Sequence, residues 1–244
     1  MLLSTVITFI FLSLALYAGL FALWRIFEKE HIEETTVFLD KMVLSALVAI
    51  FISHLPGSFF ALGHEPLSLG LFLNLLHGSF SWQVGYPVFA LTLFLLLRDT
   101  WKDKFIVLDL GAISLSVFLG FVFLSRLVTT IVLGMVAPAQ FSLLFLIITI
   151  ISMCAFFGVS KLLVHIERQY RTYFWYRYRR SSAQSGFVSA VFLIAFGLIG
   201  ISDALGSFPF EIISLPMFMV IWSIFTTVSG FILIYVRSGR LKGK

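Results

Sequence analysis

The run FIVLDLGAISLSVFLGFVFLSR, residues 105–126, decides how the chain is read. Up to Ser125 its only charge is Asp109, and it closes on Arg126. A helix rises about 1.5 Å per residue, so about 20 apolar residues cross the hydrocarbon core of a bilayer. Residues 105–125 therefore suffice for one membrane span, with Arg126 at its far end. The chain then runs on through Leu127, Val128, Thr129, Thr130 and Ile131, still apolar, with no cluster of charges marking an exit.

The rest of the chain has the same character. Hydrophobic residues make up 60% of it and charged residues 12%, where a soluble domain carries about 25% charge. The composition implies one integral membrane domain over residues 1–244, all-α and polytopic, with little left for a water-soluble domain. The first apolar run, 2–24, is too long for the core of a signal peptide. It also lacks a basic flank and a small-residue cleavage pattern, so it is expected to stay as a span. Cys154, the single cysteine, lies between Met153 and Ala155 in an apolar run and reads as a small core hydrophobe. With no ligand spacing among His, Cys, Asp and Glu, neither a metal nor another cofactor is expected.

Working outward from residues 105–125, apolar runs at 2–24, 37–55, 82–97, 141–163, 187–201 and 212–236 bring the total to seven expected spans. Residues 56–66 read as a loop. Residues 67–80 read as a short re-entrant or interfacial helix, which is tolerated at membrane depth only where protein or a cavity covers it. With seven spans, 16 of the 17 Lys and Arg fall on one side, and Glu65, Asp203 and Glu211 fall on the other. Basic loops stay cytoplasmic, so the chain is expected N-out and C-in, in the plasma membrane. The segment YRTYFWYRYRR, 170–180, interleaves rings and cations as a headgroup-layer anchor does, and no nucleic-acid partner is expected. Glycines 111, 120, 134, 197 and 200 suit close helix approach.

The remaining cation is Arg126, on the side that otherwise has none. A guanidinium at the hydrocarbon edge costs about 2.5–3.5 kcal/mol unless it is compensated. Asp109 on the same helix is no partner, being about 17 residues and roughly 25 Å away. Two readings stand: an ion pair with Asp203, Glu65 or Glu211 (or a snorkel to the headgroups), or a fork that grips a lipid phosphate in an outward cavity.

The order of elements resembles the prolipoprotein diacylglyceryl transferase family. A short re-entrant segment, a small third span and a basic loop lead to a span with an early Asp and a late Arg. The stretch Phe80-Ser81-Trp82-Gln83-Val84-Gly85 matches the family's Leu-Ser-Phe-His-Gly-Gly type segment, with Gln83 in the place of the functional His. Arg98 and Asp109 follow. Ser125-Arg126-Leu127-Val128-Thr129-Thr130 stands where the family has Gly-Arg-x-Gly-Asn-Phe and keeps only the Arg. Ala137-Pro138-Ala139-Gln140 stands for His-Pro-Thr-Gln, and Phe196-Gly197-Leu198-Ile199-Gly200 for Tyr-Gly-x-x-Arg, without its Tyr and Arg.

The resemblance implies a phospholipid ligand, phosphatidylglycerol, and a lipoprotein precursor as partner. The reaction it implies moves a diacylglyceryl group to the precursor's cysteine. Arg126, Gln83, Gln140 and Asp109 would then bind substrate. Catalysis would fall to Arg126 and Gln83, with His77 taking the thiol proton because an amide does not titrate. The rival expectation is a non-catalytic relative that binds lipid or a membrane partner.

Overall fold

The computed structural model describes residues 2–30, 35–61, 81–97, 104–136, 143–168, 185–205 and 215–237. Among these the regular structure is helix only. The helices are α1 (Leu2–Glu30), α2 (Thr35–Ala61), α3 (Trp82–Leu96), α4 (Lys104–Val136), α5 (Leu143–Arg168), α6 (Phe187–Leu205) and α7 (Leu215–Arg237). Four stretches are long and apolar enough to cross a membrane: Val107–Val132, Leu143–Arg168, Phe187–Leu205 and Pro216–Val236. The apolar α3 is shorter. The expected helix at 67–80 and the segment 170–180 lie outside the described residues.

A chain in lipid must satisfy its backbone internally, which selects helix for these runs. Hydroxyls in these helices follow the same rule. Those of Ser45, Thr130, Thr149, Thr226 and Thr227 each donate to the carbonyl four residues back.

Several boundaries differ from the sequence reading: α1 runs on to Glu30 and α6 to Leu205, which takes Asp203 into the helix, and two further differences bear on the site. A single helix of 33 residues replaces a span ending at Ser125. About 20 residues are enough to cross, but nothing in 127–136 breaks a helix, so it continues. Arg126 is thus an interior residue of α4, about 33 Å along the axis from Lys104. Likewise α2 runs through Pro56 to Ala61 instead of stopping at the proline. Proline removes one amide and crowds the preceding turn, and there the carbonyl of Ser53 accepts from the amide of Ser81 at 2.9 Å.

Consecutive helices run in opposite directions. One end gathers Leu23 of α1, Met42 of α2, Leu97 after α3, and Val107 and Leu110 of α4 into an apolar cluster. The other end gathers Ile52 of α2, Val84 of α3, Ala204 of α6 and Met219 of α7. Between them lies the main core, with Phe123, Phe156, Phe192, Phe196 and Tyr86 buried together. The rings of Phe123, Phe156 and Phe196 all meet Trp82 edge-on, at 5.3, 5.5 and 4.9 Å between centroids. Such edge contacts suit the ring quadrupole and fix the indole's orientation.

Side by side, α6 packs along α7, α1 along α4, α4 along α5 and α2 along α3. The α6–α7 crossing is close because Gly197 and Gly200 lie on it. A Cβ on Gly197 would stand 2.1 Å from Thr227 Oγ1 and 2.6 Å from the carbonyl oxygen of Ser223. Gly120 similarly admits the ring of Phe157. Gly111, expected to act the same way, has nothing within 4 Å of such a Cβ.

A polar cluster around Asp203

Arg126 and Asp203 form an ion pair. Arg126 Nη1 donates to Asp203 Oδ1 at 2.7 Å. The acid comes from the last turn of α6 and the base from the interior of α4. The second oxygen, Oδ2, accepts from the indole N–H of Trp82 at 3.0 Å and the amide of Gln83 at 3.4 Å. Three donors on three side chains thus converge on one carboxylate.

The cluster is framed from several sides. The Arg126 guanidinium carbon lies 4.4 Å from the centre of the Phe145 ring on α5 and 5.7 Å from that of Phe123. Both are within cation–π range. Trp222 of α7 donates its indole N–H to the backbone carbonyl of Gln83 at 3.0 Å, which pins the start of α3. Gly200 opens the room for this. A Cβ there would meet the Ser223 hydroxyl at 2.5 Å and Gln83 Cγ at 3.3 Å. The hydroxyl of Ser223 is itself buried without a hydrogen-bond partner among the described residues.

Exposure divides the pair. The Asp203 side chain is 7% exposed and that of Arg126 is 32%. The carboxylate is therefore enclosed by its donors, while part of the guanidinium faces outward. An arginine has five N–H donors in a rigid fork, and the ion pair uses Nη1 alone. The arrangement can hold the fork in one orientation and offer its outer edge to a second oxyanion.

Of the residues singled out from sequence, Arg126 and Gln83 are brought together, through Asp203. The compensating group expected from lipid phosphate is, within the protein, Asp203, one of three carboxylates considered. His77, Gln140, Glu65 and Glu211 lie outside the described residues. Trp82 and Phe145 were missed: an indole and a phenyl in apolar runs carry no local mark of a polar role.

Asp109 belongs elsewhere. Its Oδ2 accepts the amide of Gly186 at 2.7 Å, and its Oδ1 accepts the amide and hydroxyl of Ser189 at 2.7 and 2.8 Å. Gly186 is the residue from which α6 starts, with φ of 101°, and its carbonyl takes the first helical bond from Ala190. A glycine has no side-chain oxygen with which to cap the helix, so a carboxylate from α4 does it instead. A negative group there also favours the helix dipole. Expected to bind substrate, Asp109 is instead engaged in fastening α6, at the end of the molecule away from Arg126.

Comparisons of the chain with models of protein families, with curated proteins and with solved structures find no match. Among the described residues no group of three His, Cys, Asp or Glu is placed to hold a metal.

Proposed function

We propose that this is a multi-pass protein of the plasma membrane that binds a phospholipid by its phosphate at the outward edge, through Arg126. In this reading the chain crosses seven times, N-out and C-in, with its basic loops cytoplasmic. The reading rests on one observation above all: Asp203 and Phe145 hold the guanidinium in place while 32% of the side chain stays exposed. The position along α4 agrees, since about 33 Å from Lys104 matches the roughly 30 Å of a hydrocarbon core. Phosphatidylglycerol is the lipid that the family resemblance implies.

Binding without bond-making is the form of this reading we adopt. The amide of Gln83 takes no proton, and both oxygens of Asp203 already accept from donors. Diacylglyceryl transfer to a lipoprotein precursor is the activity the resemblance adds. Both forms are separated by experiment. Purified protein titrated with phosphatidylglycerol should bind it, and Arg126→Lys, which keeps the charge but loses the fork, should weaken binding about tenfold. Unchanged affinity in that variant removes Arg126 from the reading. Labelled phosphatidylglycerol and a lipobox peptide should give no transferred product, and product that disappears in Arg126→Ala would establish the transferase instead.

A further inference from the structure

The far end of α5 carries a second polar feature, which the cluster at Asp203 does not use. Ser160, Lys161, Val164, His165 and Arg168 line a groove of about 350 Å³. Positions 161, 165 and 168 fall on one helix face by the three-and-four spacing. All three side chains are exposed. Among the described residues none of the three is in an ion pair.

Ser160 is the more telling residue. It is 9% exposed, yet its hydroxyl makes no hydrogen bond among the described residues. Most span hydroxyls of this protein avoid that state by bonding back to their own helix. The Ser160 oxygen, unlike those of Ser152 and Ser223, is not closed off from the outside, so it is open to an acceptor in the groove. Here it borders the groove in which three basic side chains converge.

The depth of the groove points to a ligand held in the membrane. Phe145, stacked on Arg126, and the groove are separated along α5 by about 15–23 residues, or roughly 22–35 Å. That is the thickness of a hydrocarbon core, so the groove lies at the boundary opposite Arg126. Leading up to it, Ile147, Ile151 and Leu162 are exposed apolar residues and mark a lipid-facing approach. Basic side chains at this level meet anionic headgroups, each gaining about fivefold in affinity.

We propose that this groove binds the phosphate of an anionic phospholipid in the leaflet opposite the one served by Arg126. Lys161, His165 and Arg168 face the phosphate, Ser160 donates to one of its oxygens, and Val164 packs on the glycerol end. The proposal rests on the placement of the spans proposed above but not on lipid binding by Arg126, since the two sites share no residue.

The test counts lipids retained by the full-length protein in neutral detergent, by native mass spectrometry, with phosphatidylglycerol and phosphatidylcholine as probes. The wild type should keep phosphatidylglycerol in preference. The variant Lys161→Gln/His165→Gln/Arg168→Gln should lose one phosphatidylglycerol, with at least tenfold weaker retention, and show no change in thermal unfolding. Ser160→Ala should weaken the same lipid about threefold. Arg126→Lys, run alongside, should leave this lipid in place, so that failure of either site is read separately. An unchanged count in the triple variant overturns the proposal. So does a loss in the triple variant with no effect of Ser160→Ala, which would mean diffuse attraction to charge. Displacement of the lipid by excess inorganic phosphate would overturn it in favour of a soluble anion.

Discussion

Asp203 is buried with its charge compensated by a group that reaches out of the core. Removing the guanidinium would leave an uncompensated carboxylate among aromatic rings, and losses of about 3–5 kcal/mol accompany such breaks in fully buried pairs. Because Arg126 is one-third exposed, water screens part of the interaction. About 2–3 kcal/mol is the expected loss for Arg126→Met. The double variant Arg126→Met/Asp203→Leu should recover most of it, since neither charge then needs a partner. Thermal unfolding of the wild type, Arg126→Met, Asp203→Leu and the double variant in detergent closes the cycle. A double variant as unstable as Arg126→Met would mean that the indole and amide bonds to Asp203, not the ion pair, hold this corner.

At the scale of elements, the close contacts are concentrated where α6 crosses α7. Gly197→Ala drives a methyl into Thr227 and the Ser223 carbonyl. The helices must part, and the expected cost is at least about 2 kcal/mol. Gly111→Ala, with open space around it, should be neutral or stabilising by up to about 1 kcal/mol through helix propensity. Unfolding temperatures of the two variants, measured together, check the contrast; equal effects would contradict the described packing.

Both glycines sit in apolar runs and look alike in the sequence, because crowding is a property of the neighbouring helix. The apolar runs were legible for the opposite reason: crossing a bilayer is demanded of each segment alone, and about 20 apolar residues announce it. The end of α4 was not, since a span length says when a helix is long enough and not when it stops. Asp109 shows the same limit. Its role as a cap depends on amides of α6, supplied by a distant part of the chain, and no local spacing encodes that. For Arg126 the sequence left three acids, the headgroups and a lipid phosphate as candidate partners, and only tertiary structure could single out Asp203 within the protein.

For the whole molecule, the proposed seven crossings put the cations on one side and so set a sidedness that can be read directly. Reporters inserted at Pro66 and Ser207 should be accessible from outside, and those at Lys102 and Arg180 from the cytoplasm. Accessibility assays in intact cells read all four, and the reverse result at any one position refutes seven crossings.

The contacts between α4 and α6 bear on which membrane suits such an assembly. Asp109 meets Gly186 and Arg126 meets Asp203, each pair 77 positions apart, so two parallel helices are riveted twice in the same register. The rivets stand roughly 25 Å apart along the axis. Neither helix can slip or lean to suit a different hydrocarbon depth without breaking one of them. On the proposed crossings such a pair would act as a fixed gauge: bilayers of matching calibre would suit it, and thicker or thinner ones would have to deform around it.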